Sequence, residues 1–325
     1  MAKQMNTERR RRFGDRYDGW KIRGADPFFK LIPHIMHKRN DAQVFFDETI
    51  EINGLEKFIR TLRQETDMKD LGMLEVLIAA FVRMISQYPC VNRFVSGRNI
   101  YARNTIEFSF TLKREMTLEG VETTVKIKFD PTDTLHDVWE KIRREISDNK
   151  GMNVENDTDV LAKVLSMCPT FLLKFIIFLM DKLDHVGLMP KFIHEFSPFH
   201  TSVFLTDMGS TGLGSVFHHI YNFGTCSVFC CLGKKGRKLK LNDEGKVVHA
   251  RTLNLRFVVD ERICDGYYFA MTIRDLIKLL KKPEALLSPP EQVVADPGLP
   301  LTRKEKRVIR KRRRQEKKDA DQQVA

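Results

Sequence analysis

Three features of this 325-residue chain predict an α/β fold, a single domain in which helices cover a mixed sheet. Strand-like and helix-like segments are interspersed without settling into regular βαβ alternation. The segment MLEVLIAAFVRMISQYP, from Met73 to Pro89, is apolar nearly all round, as a helix buried in a core must be. The runs IEFSFTLKRE and ETTVKIKF alternate apolar and polar residues with the period of half-buried strands.

The remaining elements follow in order. Asp26 and Pro27 open a helix to about Asn40, the proline fitting a first helical turn. QVFFDETIEI (43–52) reads as a strand, and Leu55 to Leu62 have helical spacing. The apolar helix ends before Pro89, and VNRFV and NIYA read as short strands. Asp130-Pro131-Thr132-Asp133 caps a helix to about Asp148. Residues 152–198 read as two helices, the second carrying FLLKFIIFLM. That run is short of the ~20 residues a membrane span needs, so a buried or lid-forming helix is expected, with a shallow interfacial anchor as the alternative. A strand from Ser202 to Thr206, a glycine-rich turn, a strand from Ser227 to Leu232 and a hairpin turning at Asn242-Asp243-Glu244-Gly245 come next. A strand over 251–259 and a helix from Tyr267 to Lys281 complete the set, and PP and PG pairs after Pro283 mark a linker. The expected organisation is a basic arm over 1–25, a domain over 26–287 with a helical insertion at 152–198, and a basic disordered tail over 288–325.

The net charge of +12 resembles a nucleic-acid signal, but its distribution argues against one. Residues 1–12 carry a net +4 and residues 301–325 a net +7, leaving about +1 for everything between. Solvated tails are the simple reading; weak electrostatic contact with nucleic acid or an anionic membrane is the sharper one. The C-terminal run has no interleaved aromatics for base stacking. Six cysteines without a signal peptide, and without paired CxxC spacing, read as thiols of a reducing cytoplasm and not as a zinc site. No GxGxxG follows a strand and no GxxxxGK[ST] is present, which removes support for a nucleotide-binding fold.

One stretch looks like a site: FVVDERICDGYYF, residues 257–269, where an apolar strand ends on Asp-Glu-Arg and a helix restarts after Asp-Gly. In ordered combination with TIEINGLEKFIRTLRQ, the buried helix leading into PCVNRFV, DPTDTLHDVWEKIRREI, and VFLTDMGSTGLG followed by SVFCCLG, it resembles the catalytic domain of 2-oxo acid dehydrogenase acyltransferases and chloramphenicol acetyltransferase. The resemblance covers roughly Asp26 to Leu287. It implies a chloramphenicol acetyltransferase-like fold and a homotrimer with its channels between subunits. It also implies coenzyme A or acyl-CoA as substrate, with small-molecule acyl donor and acceptor, no metal, and no lipoyl attachment in this chain.

In that family the histidine of HxxxDG takes the proton from a thiol, which at a pKa of ~8.5 is a poor nucleophile unaided. A Ser/Thr hydroxyl in the xxSNxG turn stabilises the oxyanion. Laid over DERICDG, the motif's aspartate and glycine fall on Asp265 and Gly266, and the histidine position holds Glu261. An ordinary glutamate, at ~4.3, is a weak base toward a thiol. Thr206 stands at the Ser/Thr position with Asp207 for the asparagine, and Asp265 is expected to organise the turn through ionic contacts. His218 and His219 are further candidates for the base, weighed against packing roles; Ser210 and Thr211 read first as turn formers. Two functions stay open: a thiol-dependent acyltransferase, or a catalytically inactive homotrimeric scaffold or regulatory protein of the same fold.

Overall fold

The computed structural model describes residues 11–113, 122–149, 166–241 and 244–299. Most of both basic runs, the first part of the 152–198 insertion and the turn residues Asn242 and Asp243 lie outside the described residues. The strands are β1 (Gly19–Lys21), β2 (Gln43–Glu51), β3 (Arg93–Ser96), β4 (Asn99–Arg103), β5 (Ile106–Lys113), β6 (Glu122–Phe129), β7 (Val203–Asp207), β8 (Val228–Leu241) and β9 (Val247–Asp260). Six of them form one mixed sheet in the order β2-β9-β8-β7-β5-β6. β7 runs parallel to β5 and β8; the other pairs are antiparallel. A small antiparallel sheet, β1-β4-β3, packs into the same core.

The helices are α1 (Pro27–Ile35), α2 (Asn53–Glu65), α3 (Met73–Gln87), α4 (Leu135–Asn149), α5 (Thr170–His185), α6 (Lys191–Phe196) and α7 (Gly266–Lys281). α3 is the hub of one face, packed on β5, α4 and α7. Every residue from Val76 to Ser86 is buried, as its all-round apolarity predicts. Phe81 meets Phe108 and Phe257 at ring-centroid distances of 5.9 and 6.2 Å, locking the helix to two strands of the sheet. The start of α3 is fixed by Glu75, whose carboxylate accepts from the Gly72 amide at 2.8 Å.

Several boundaries differ from the sequence reading. α1 ends at Ile35 because Arg39 is drawn inward, and a short 3-10 turn, Arg39–Ala42, replaces the expected last turn. α4 is capped by Thr134 and not by the Asp130–Asp133 run: Thr134 N donates to Asp137 and Asp137 N to the Thr134 hydroxyl, at 2.9 and 3.3 Å. Asp133 instead closes the preceding turn by accepting from Asp130 N at 2.8 Å. β8 and β9 run beyond the sheet as a paired ribbon, Arg237 to Leu241 against Arg251 to Val247. The charged residues around Gly233 hid that continuation.

The larger corrections concern the ends and α5. Arg16 is buried in bonds to Asp18 and Asp184, both below 3 Å, and Trp20 and Ile22 belong to the core. At the other end Arg93 grips Asp296 with two bonds of 2.7 Å, and Leu299 is buried. The packed body therefore reaches past both the 1–25 and the 288–325 boundaries. α5 is not buried: Phe171, Phe175 and Phe178 are 76 %, 60 % and 58 % exposed, and only Asp184 of this helix is buried. The helix is held by its polar end.

That end joins a buried polar network. Asp18 meets His194 at 3.1 Å, His200 Nδ1 meets the Ser197 hydroxyl at 2.7 Å, and His200 Nε2 lies 3.6 Å from Asp184. Burial, outweighing Asp184, pushes the His200 imidazole down to about 4. Asp18 and Asp184 are pushed up by burial, but the His194 ring bonded to Asp18, the His200 ring beside Asp184 and Arg16 bonded to both hold them below the usual carboxylate range.

A neutral buried His200 favours folding while the unfolded imidazole is also neutral, above its ordinary value of ~6.5. As pH falls from there toward 4, the unfolded chain takes up a proton that the folded one refuses, and stability is lost. Urea unfolding across that window should show a decline on the order of 2–3 kcal/mol, and His200→Gln should flatten it. The carboxylates contribute below that window.

Candidate functional site

DERICDG forms the hinge between β9 and α7, and its geometry is set by a charge that the sequence reading passed over. Asp260 is fully buried, and its carboxylate receives Arg262 Nε and a terminal Arg262 nitrogen at 2.7 Å each. Arg39 Nε approaches the same carboxylate at 3.5 Å. Burial pushes the Arg39 guanidinium down from its ordinary value, and Asp260 opposes that shift. The arginines also knit three segments together. Arg262 donates to Met36 O at 3.0 Å, and Arg39 donates to Tyr221 O and Asn222 O at 3.0 Å and to Val95 O at 2.9 Å. Asp260 N in turn donates to Ser227 O, and Arg93 to Ile263 O.

Glu261 is half-buried on this anchored turn, its amide donating to Ala42 O at 2.9 Å. No ion pair or side-chain hydrogen bond of Glu261 is recorded among the described residues. Arg262, the cation next along the chain, is engaged by Asp260. Asp265 is an exposed helix cap whose carboxylate accepts from Tyr268 N at 2.9 Å. The ionic organisation expected of Asp265 is carried by Asp260.

Thr206 lies near the end of β7, half-buried, on the sheet face away from α3. It pairs with Cys231, and Cys231 with Arg256, so Thr206 is level with the residue five positions before Glu261. At ~3.3 Å per residue, the two are roughly 16 Å apart along the strands. One chain does not bring them together. Asp207 accepts from Ser210 N at 3.2 Å, and the Ser210 and Thr211 hydroxyls donate to Asp207 O and Met208 O at 2.7 and 2.8 Å, closing the glycine turn.

Residues 208–227 then cross the second face of the sheet, over a small cluster of Phe204, Ile220, Cys226, Phe229 and Val258. His218 stacks on Phe229 at 4.2 Å with the rings 8° apart, and its Nδ1 lies 2.9 Å from His219 O. Phe229 pairs with Val258, which puts His218 over a level between those of Thr206 and Glu261. His219 is exposed and packs its ring on His218 and Tyr221. The His218 ring is thus fixed in an aromatic stack on the Thr206 face of the sheet, and His219 lies at its rim.

Sequence reasoning missed Arg39, Asp260 and Arg256. Arg256 donates to Ser215 O at 2.8 Å and stacks on Phe217 at 4.7 Å. The alternation LNLRFVVD was its signal, since it turns Arg256 to the face that carries Thr206. Burial pushes the Cys226, Cys230 and Cys231 thiols up, so all three are packing groups. Among the described residues no group of three or more His, Cys, Asp or Glu is arranged to hold a metal ion, and no helix is long and apolar enough to cross a membrane.

Comparison with solved structures decides the architecture. A probable dihydrolipoamide acetyltransferase from Listeria monocytogenes aligns over 81 % of this chain and 95 % of its own, with a TM-score of 0.53 at 12 % identity. A truncated catalytic core of the 2-oxoacid dehydrogenase multienzyme complex from Thermoplasma acidophilum aligns over 81 % and 99 %, with a TM-score of 0.50 at 14 % identity. The fold is that of the acyltransferase catalytic core. A chloramphenicol acetyltransferase aligns over 81 % of this chain and 100 % of its own, with a TM-score of 0.49 at 10 % identity. No protein-family model matches the sequence. A putative lon protease homolog from Methanothermobacter thermautotrophicus is 28 % identical over 86 residues, which is 26 % of this chain and 17 % of that protein's length. Within the acyltransferase fold, β7 and the β9–α7 hinge are the elements that carry Thr206 and Glu261.

If Asp260 holds the hinge, Asp260→Ala leaves Arg39 and Arg262 buried without a counter-ion. Denaturant unfolding should then show a loss of about 3–5 kcal/mol. Glu261→Gln, on the same turn, should change stability by only about 0.5 kcal/mol. Equal effects would mean that the hinge is held by something else.

Proposed function

We propose that this chain is a thiol-dependent acyltransferase that moves an acyl group between coenzyme A and a small-molecule acceptor. Its working unit is a homotrimer in which Glu261 of one copy meets Thr206 of the next. One observation carries the reading: the turn that carries Glu261 is anchored by a buried charge cluster, while no ion pair of the Glu261 carboxylate is recorded among the described residues. A group that is positioned and uncommitted is suited to exchange a proton.

In the proposed step, Glu261 takes the proton of the incoming thiol and the thiolate attacks the acyl carbonyl carbon. The Thr206 hydroxyl donates to the oxyanion that forms. Collapse breaks the donor carbon–sulfur bond, and the leaving thiolate recovers the proton from Glu261. His218 is the alternative base, supported by its fixed ring on the Thr206 face, with His219 beside it. Asp265 serves by capping α7 beneath the hinge. The proposed compartment is the cytoplasm, supported by six cysteines all free of disulfides. The basic arm and tail are proposed to make weak electrostatic contact with nucleic acid or an anionic membrane.

The second reading, an inactive scaffold or regulatory trimer of the same fold, is favoured by the carboxylate standing where the resemblance calls for an imidazole. Incubation with acetyl-CoA and a dithiol, with free coenzyme A resolved by chromatography, separates the two. The acyltransferase reading predicts turnover, a fall of about 10²-fold or more in kcat/KM for Glu261→Gln, and a similar fall for Thr206→Val. No coenzyme A product, or a rate indifferent to both substitutions, selects the scaffold.

A further inference from the structure

A cleft opens on another part of the molecule, between α1 and the β1-β4-β3 sheet. It has a volume of about 330 Å³, and its charged or titratable lining residues are Lys21, Arg23, Lys30, His34 and Arg98, with no carboxylate among them. Arg23 is held at 2.8 Å by Asp15, whose side chain is 1 % exposed. Lys30 Nζ donates to Arg23 O at 2.9 Å. Asp26, next along the chain from the lining residue Ala25, is turned to the Phe28 amide as the cap of α1. Lys21 and Arg98 have no anionic partner recorded among the described residues.

Arg98 is placed there by an unfavourable backbone. β3 and β4 are joined by a two-residue turn, Gly97-Arg98, with Ser96 paired to Asn99. Both turn residues have positive φ, 53° and 61°, as this tight turn requires. Glycine is enforced at position 97, where a Cβ would meet His185 O at 2.5 Å. At position 98 the same conformation disfavours any residue with a Cβ, and Arg98 is the one non-glycine residue with positive φ among the described residues. A strained arginine at the mouth of a cleft already lined with cations points to something that gathers positive charge.

We infer that the cleft formed by Lys21, Lys30, His34 and Arg98 binds a phosphate-bearing anion. The guanidinium of Arg98 supplies a planar fork for two phosphate oxygens, and Lys21 and Lys30 supply point charges around them. Four lysines and arginines with one neutralising carboxylate, Asp15, leave a surplus that a multiply charged phosphate matches better than a single carboxylate. The volume falls in the range of small-ligand sites. Two sources supply this chemistry: a soluble phosphate ester, or the headgroup of a lipid. On the solvent side of α1, beside Lys30 and His34, Phe28, Leu31 and Ile35 are 66 %, 55 % and 67 % exposed at helical spacing, where a headgroup would bring acyl chains. The inference is independent of acyl transfer at Glu261.

The test uses the full chain, with pyrophosphate titrated by calorimetry, and separately vesicles of phosphatidylcholine with and without a phosphatidylinositol phosphate. Arg98→Gly removes the fork yet suits the positive φ, so it should melt no lower than the parent and bind about tenfold more weakly. Lys21→Ala should weaken binding similarly, and Lys238→Ala, on the exposed ribbon, should not. Pyrophosphate binding that follows this pattern assigns a soluble ligand. Vesicle binding that follows it without pyrophosphate binding assigns a headgroup. Absence of both, or binding that Arg98→Gly weakens no more than Lys238→Ala does, overturns the inference.

Discussion

One buried carboxylate between two guanidiniums holds together the hinge on which the proposed chemistry depends. Asp260 terminates β9, and Arg262 and Arg39 reach it from the hinge and from the segment after α1. Isolated burial would cost each of these ions several kcal/mol, and the cost is offset only by their closeness and by the carbonyls that receive the remaining guanidinium protons. Because those carbonyls belong to residues 36, 95, 221 and 222, the cluster ties α1, β3 and the crossing loop to the hinge at once. The direction in which the hinge presents Glu261 follows from that arrangement.

A second consequence is the separation of Glu261 from Thr206. The two are carried at different levels of one sheet, and strand register does not let them slide toward each other without flipping side chains between faces. Chemistry that uses both needs a neighbouring copy to supply one of them. His218, lying between the two levels, is the group within the same chain that shortens the gap. Under the proposed function, the functional groups are divided between subunits unless His218 replaces Glu261 as the base.

Much of the fold was legible from the residues. The all-round apolarity of Met73–Gln87 identified the central helix, and the alternation in 106–113 and 122–129 identified paired strands. These are local patterns, and local patterns report which face is buried. What stayed hidden was set by contacts distant in sequence. Nothing near Arg16 announces Asp184, 168 positions away, and nothing near Arg93 announces Asp296, 203 positions away, yet these pairs bring the described end of the expected arm and the described start of the expected tail into the body. α5 misled because its apolar run implies burial, whereas tertiary contacts bury its acidic end. At the candidate site, motif order singled out Glu261 and Thr206, while Asp260 and Arg39 were missed because an ion pair leaves no periodic trace.

The proposed division of the site between copies is most directly tested by covalent capture. A chain carrying both E261C and T206C, treated with a short bis-thiol-reactive crosslinker and separated under denaturing conditions, should give linked dimers and trimers that neither single variant gives. Monomers alone, with or without an internal link, would contradict a site shared between subunits.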